Sequence, residues 1–188
     1  KRLVPPEMLT PGSLLDRLIV PQRSLASGLA SGLAWLEAVH ALDADTRQDL
    51  LGYDDLLSVA ESHALAQRLA RVCRELSAIH LDPSDVADRC ESMGVMVDRD
   101  RWSVITTLRM DMLERLASMN LDDRDDSHRH AIYRGNLHLH GVSSITLIAA
   151  EIPDRMRRVL ELAAESGVSV TNIVHGDEAT LGAVFQAD

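Results

Sequence analysis

Apolar positions along this chain fall into two rhythms. From residue 14 to about residue 137 they recur every three or four residues, the spacing of amphipathic helices. After residue 142 they form a short apolar run, a helical stripe and an alternating run, which is the grammar of a β-α-β unit. Residues 144–150 are apolar and partly β-branched, which predicts a strand buried on both faces. Pro153 suits the first turn of a helix, and Asp154 sits near its positive end. Met156, Val159, Leu160, Leu162 and Ala163 make the stripe of that helix, and Gly167 ends it. Residues 168–174 alternate and predict a second strand, parallel to the first because the crossover is helical.

The earlier rhythm predicts a succession of helices. Leu3-Val4-Pro5-Pro6 is too rich in proline for one and predicts a loop or edge strand. Thr10 before Pro11 makes an N-cap and first-turn pair for a short helix carrying Leu14, Leu15, Leu18 and Ile19, which Pro21 stops. Residues 25–42 are helical by spacing, with Leu29, Leu33, Leu36, Val39 and Leu42 inward and Trp35 as an anchor. Gly28 and Gly32 on that helix predict close packing, at ~1 kcal/mol each in propensity. Residues 46–51 form a short turn of helix before Gly52. Asp54 or Asp55 then caps a helix running to about Ile79, buried along Leu56, Val59, Ala60, Ala64, Leu65, Leu69, Val72 and Leu76. Ser84, after Asp82-Pro83, opens a short helix through Cys90, and Gly94 marks the next turn. Asp98 precedes a long helix over residues 99–119 with the stripe Trp102, Ile105, Leu108, Met112, Leu113 and Leu116, and Asn120 suits its end. Residues 122–137 are heavily charged and predict one more, solvated helix.

This order predicts an α/β fold with a large helical portion, as two units or as one domain carrying a helical insertion. A length of 188 residues and 46% hydrophobic content suit a chain with a substantial core. No apolar run approaches the ~20 residues of a bilayer span, so no membrane partner is expected. Cys73 and Cys90 lack metal-type spacing and read as buried thiols of a reducing, cytoplasmic compartment. A net charge of −10 argues against a broad basic face for nucleic acid. Arg155, Arg157 and Arg158 read as a solvated helix face, and Gly28 and Gly32 lie in a helical pattern rather than a phosphate loop.

The two strand ends carry a resemblance. Ligands of open α/β sheets bind beyond the carboxyl ends of the strands. There the first strand runs into Ala150-Glu151-Ile152-Pro153-Asp154 and the second into His175-Gly176-Asp177-Glu178. These resemble worn copies of two motifs of UvrD-like superfamily 1 helicases, Asp-Glu-x-Gln-Asp and Gly-Asp-x-x-Gln. Ala150 stands at the metal-binding Asp, Glu151 and Asp154 match, Pro153 replaces the Gln, and no Gln follows Gly176 and Asp177 at the family spacing. Thr10-Pro11-Gly12-Ser13-Leu14 also resembles the Thr-x-x-Ser stretch of that family, which implies contact with single-stranded DNA at Thr10 and Ser13. The order of these features resembles the inactivated helicase region of AddB- and RecC-like subunits of helicase–nucleases and of proteins with a C-terminal PD-(D/E)XK nuclease.

That resemblance implies residues 1–22 and 141–188 as parts of a RecA-like domain and residues 23–140 as its helical insertion subdomain. It implies a fragment of a DNA repair or recombination protein, with the family's phosphate-binding loop preceding Lys1 and no nuclease motif within the chain. An alanine at position 150 does not coordinate Mg²⁺, so the implied region has lost ATPase chemistry and keeps no cofactor. Its implied role is scaffolding, or guiding single-stranded DNA past an attached nuclease.

Two other classes compete. Asn136-Leu137-His138-Leu139-His140-Gly141 resembles the His-x-His strand end of amidohydrolase-like metal enzymes, since alternate strand residues share a face. Only about fifty residues follow it, and His128, His130 and His175 supply no matching strand pattern, so a histidine-rich loop without metal is the expectation. The third class is a helical protein-interaction module with no DNA role.

Overall fold

A computed structural model describes residues 7–148, 152 and 154–173. The first elements are α1 (Pro11–Leu18), β1 (Ser24–Leu25), α2 (Gly28–His40), α3 (Ala44–Leu51) and α4 (Val59–Ala78). Then come α5 (Pro83–Ser92), α6 (Arg99–Ser118), β2 (Leu121–Asp122) and α7 (Arg124–Tyr133). The chain continues with β3 (Ser144–Ile148), α8 (Asp154–Glu165) and β4 (Ser169–Ile173). The described residues are thus mostly helical, with short parallel strands in two two-stranded sheets. Two compact units emerge, residues 21–129 and a discontinuous unit of 1–20 with 130–188. Residues 130–140 fall in the discontinuous unit because Ile132, Leu137 and Leu139 share its apolar core.

Local chemistry starts most helices of the first unit. Ser27, Asp43 and Asp98 each accept a backbone N–H from the residue three positions on, at 3.2, 2.7 and 3.1 Å, to start α2, α3 and α6. α4 begins at a capping box in which Ser58 accepts from the Glu61 N–H and Glu61 accepts from the Ser58 N–H. Ser58, not Asp54 or Asp55, is therefore its N-cap, because only Ser58 has a Glu three residues downstream to return the bond. Asn120, at φ 57°, turns the chain after α6.

α6 is the spine of this unit. Its Ile105, Leu108, Met112 and Leu116 are buried against Ala34, Trp35, Ala38, Val39, Leu50, Ala66 and Leu69. α2 and α4 bury part of their expected stripes, Trp35 and Val39 on α2 and Leu69 on α4, with Leu36, Leu42 and Leu65 packed against the same core, but the buried side of each helix also takes in small residues. α2 buries Ala34, Trp35, Ala38 and Val39, leaving Leu29 and Leu33 75% and 49% exposed. α4 buries Ser62, Ala66, Leu69 and Ser77, leaving Val59 exposed, and Leu56, expected on its buried side, precedes the helix and is exposed. Small residues let helices approach closely, and α2 packs on both α4 and α6. Gly28 and Gly32 take no part in this, since an added Cβ at either meets nothing within 4 Å. Before α2, β1 pairs with β2 in parallel, an association with no signal in two-residue strands. Asp122 holds it, its carboxylate accepting from the Arg23 N–H and its carbonyl from the Ala26 N–H, both at 2.8 Å.

In the discontinuous unit β3 and β4 are parallel, in register from Ser144↔Ser169 to Ile148↔Ile173. α8 supplies Met156, Val159, Leu160, Leu162 and Ala163 to a core shared with Leu15, Leu18, Ile19, Ile132 and Ile145. α8 ends in a Schellman motif, with Val168 N–H donating to Ala163 C=O and Gly167, at φ 87°, donating to Ala164 C=O. β3 is buried on one face only, unlike the expectation from its apolar run. Ile145 and Leu147 face the core, while Ser144, Thr146 and Ile148 line an open face opposite Ser169, Thr171 and Ile173. Ile148 is 77% exposed because no described element covers that side.

The buried face of α2 is testable. Ala38→Leu should destabilise the helical unit by about 1–3 kcal/mol through overpacking. Leu33→Ser should shift stability within about 0.5 kcal/mol. Urea unfolding followed by circular dichroism distinguishes them, and the reverse order would place the leucines inward.

Candidate functional site

β3 and β4 are parallel and in register, so they end side by side at Ile148 and Ile173. Ala150, Glu151, Pro153, Gly176 and Asp177 lie outside the described residues, as does His175. Asp154 is described. It opens α8, is exposed, and pairs with Arg157 at 3.3 Å one turn along. Arg157 and Arg158 are solvated, but Arg155 turns inward and is buried. Near the same edge, Asn172 sits beside Leu147 on the core-facing side, and its Oδ1 finds no donor.

Thr10 and Ser13 meet at the start of α1. The Thr10 hydroxyl accepts the Ser13 N–H at 3.3 Å, and the two side-chain oxygens are 2.8 Å apart. Both are exposed, so they form a hydroxyl pair at the positive end of a helix. The cap itself explains the Thr-x-x-Ser spacing, and it also leaves both oxygens at the surface.

His138 and His140 lie on the irregular segment between α7 and β3, where the His138 N–H donates to the Leu18 carbonyl at 2.6 Å. Their ring centroids are 6.5 Å apart and tilted by 48°. Two imidazoles sharing a tetrahedral metal place their centroids roughly 5 Å apart. Among the described residues no group of three His, Cys, Asp or Glu side chains is set to hold a metal ion.

The strongest electrostatic feature lies in the helical unit and carries no sequence motif. Arg109 of α6, only 8% exposed, donates through Nη1 to Asp82 and through Nη2 to Asp126 at 2.9 Å. Arg129 donates to the same two carboxylates, at 2.5 and 3.1 Å. Asp82 is also the N-cap of α5. Residues 122–137 are accordingly not a solvated helix in their first turns, since Asp126 and Arg129 are partly buried in this cluster and His128 is buried. Burial pushes the Asp82 carboxyl up, but Arg109, the Ser84 N–H and Arg129 outweigh it and hold it below the usual range. Asp123 goes the other way. Burial and the nearby Asp125 and Asp126 raise it, against the Asp126 N–H that it accepts at 3.0 Å and against Arg109. Burial pushes the nearby Cys73 thiol up to about 11, so it is neither a thiolate nor a nucleophile near neutral pH. Beside the cluster a groove of about 230 Å³ is lined by Met110, Leu113 and Ala117 together with Glu114, Asp123 and the Arg23–Asp122 pair. Three of its four ion pairs span 17 to 47 positions and only Asp126–Arg129 is local, three positions apart, which is why no local pattern announces the whole cluster.

No family model matches the chain, and neither a curated protein nor a solved structure matches it. No helix among the described residues is long and apolar enough to cross a membrane.

Two outcomes follow from this geometry. A carboxyl with a raised folded pKa stabilises below its unfolded value, near 4, and loses that contribution as pH rises through the folded value. Asp123→Asn keeps the acceptor for the Asp126 N–H without the charge. It should raise the melting temperature at pH 7 by on the order of 2 °C, with the gain vanishing below about pH 4. A loss at pH 7 would mean that the charge itself stabilises. At the histidines, purified protein should carry no stoichiometric zinc, manganese or iron, and His138→Ala and His140→Ala should each change stability by less than ~0.5 kcal/mol. One equivalent of metal by elemental analysis, lost in either variant and with chelator-sensitive melting, would establish a metal site there.

Proposed function

We propose that this chain is a non-catalytic, helicase-like region of a DNA repair or recombination protein, resembling the inactivated part of AddB- and RecC-like subunits. It scaffolds an attached nuclease or helicase partner and guides single-stranded DNA toward it in the cytoplasm. One observation carries this reading: the helical unit of residues 21–129 interrupts a compact unit made of 1–20 and 130–188. The Thr10 and Ser13 hydroxyl pair precedes the interruption and the parallel β3-α8-β4 unit follows it. That is the order of parts the resemblance implies for a RecA-like domain with a helical insertion. The parallel pairing of β3 and β4 through α8 supports the same reading, because it directs both strand ends to one edge.

The chemistry assigned to that edge is a lost one. Ala150 stands where the family's metal-binding Asp would be, so Glu151 and Asp154 have no Mg²⁺-bound nucleotide to act on. The chain should therefore neither hydrolyse ATP nor bind Mg·ATP measurably at millimolar concentration. Calorimetric titration tests binding and phosphate release tests turnover. Turnover that disappears in Glu151→Gln would replace the inactivated reading with a working ATPase.

A further inference from the structure

We infer that the outer face of α4 is a contact surface for the phosphate backbone of single-stranded nucleic acid, made by Arg68, Arg71 and Arg74. The assignment of the polymer rests on the function proposed above, whereas the anionic chemistry of the partner rests on the face itself.

Acidic residues outnumber basic ones in this chain, 29 to 19, so arginines find carboxylates readily. Arg17, Arg23, Arg99, Arg101, Arg109, Arg115, Arg129, Arg157 and Arg158 are all in ion pairs. Arg47 instead donates to the Leu42 and Asp54 carbonyls. Arg68, Arg71 and Arg74 are exposed and have no carboxylate within ion-pair distance among the described residues. Even Glu75, one turn beyond Arg71 and well placed for an i,i+4 pair, does not close on it, and Glu61 is occupied by the Ser58 cap. Three cations thus stay out of ion pairs on one helix of an acidic protein, against the single exposed carboxylate of Glu75 on the same arc.

Their placement is coherent. At 100° per residue the three lie within about 120° of arc, centred opposite the side that buries Ser62, Ala66 and Leu69 against the core. His63 and Gln67, bonded to each other at 3.0 Å, continue the same exposed arc toward the start of the helix. From Arg68 to Arg74 is about 9 Å along the axis, room for two or three phosphates of a stacked strand at ~3.4 Å per nucleotide. Guanidinium forks suit phosphate oxygens better than ammonium groups do. No Phe, Tyr or Trp lies on this arc, and the His63 ring is bonded to Gln67, so recognition is of the backbone and independent of sequence. The stripe is narrow, and the net charge of −10 makes binding weak and strongly dependent on salt.

Fluorescence anisotropy with a labelled single-stranded oligonucleotide of about 20 nucleotides, run across low salt concentrations, tests the assignment. The whole chain should bind with a slope of about −2 in log affinity against log salt, the value for three phosphates on a single strand. Arg68→Gln/Arg71→Gln/Arg74→Gln should lose about tenfold or more in affinity and most of that slope, while Arg89→Gln/Arg134→Gln, equally exposed, should lose neither. An unchanged circular dichroism melt shows that the triple variant is folded. Oligonucleotide binding that survives the triple substitution overturns the α4 assignment alone. No binding by the wild-type chain overturns both it and the guidance of single-stranded DNA. A polyglutamate peptide bound as tightly as the oligonucleotide, and lost in the same variant, overturns the choice of nucleic acid.

Discussion

One guanidinium sets the terms for the helical unit. Arg109 is nearly buried on α6, and an arginine does not shed its proton to escape the cost of burial. It therefore requires fixed acceptors, and it has two. Asp82 is held in place by its own duty as the N-cap of α5, and Asp126 by the first turn of α7, where its N–H bonds Asp123. Arg129 closes the arrangement by donating to both carboxylates, so neither aspartate faces one cation alone. Removing one partner from such a buried set typically costs about 3–5 kcal/mol, far more than the exposed pairs elsewhere contribute. That requirement ties α5 and the start of α7 to α6, which its apolar face holds in the core of the unit.

The discontinuous unit depends on a different physics, the burial of apolar area. α8 turns six residues inward while its Arg157 and Arg158 remain in ion pairs at the surface. The Schellman turn at Gly167 reverses the chain so that β4 returns beside β3 in the same direction. The result is a small parallel ladder with matched Ser–Ser, Thr–Thr and Ile–Ile neighbours on its open face. Parallel sheets are usually covered on both sides, so a half-covered one leaves a surface of mixed polarity with two unpaired edges among the described residues.

These two units differ in what they offer a ligand. The discontinuous unit presents the Thr10 and Ser13 hydroxyls at the start of α1 and the serine and threonine rows on the open face of its sheet. The helical unit presents charge, with carboxylates at the groove beside α6 and open arginines on α4.

Much of the local structure was legible in the residues alone. Thr10 before Pro11, Asp98 before a stripe, and Gly52 and Gly167 after one encode their helix ends through bonds made within four or five positions. The α6 stripe and the β-α-β order were legible for the same reason, since periodicity is a property of the chain itself. The faces of α2 and α4 were legible in part, since Trp35, Val39 and Leu69 are buried as expected while Leu29, Leu33 and Val59 are exposed. Ala34, Ala38, Ser62 and Ala66 join the buried side while Leu29 and Leu33 leave it, and only the neighbouring helices decide how far around each helix the contact extends. The burial of β3 was not legible, because a run of apolar residues does not say whether a second layer exists to cover it. The ion cluster was the least legible of all. Asp82, Arg109, Asp126 and Arg129 look like surface residues in sequence, and they become one site only when α5, α6 and α7 bring charges from separate segments into a space too dry to leave any of them alone.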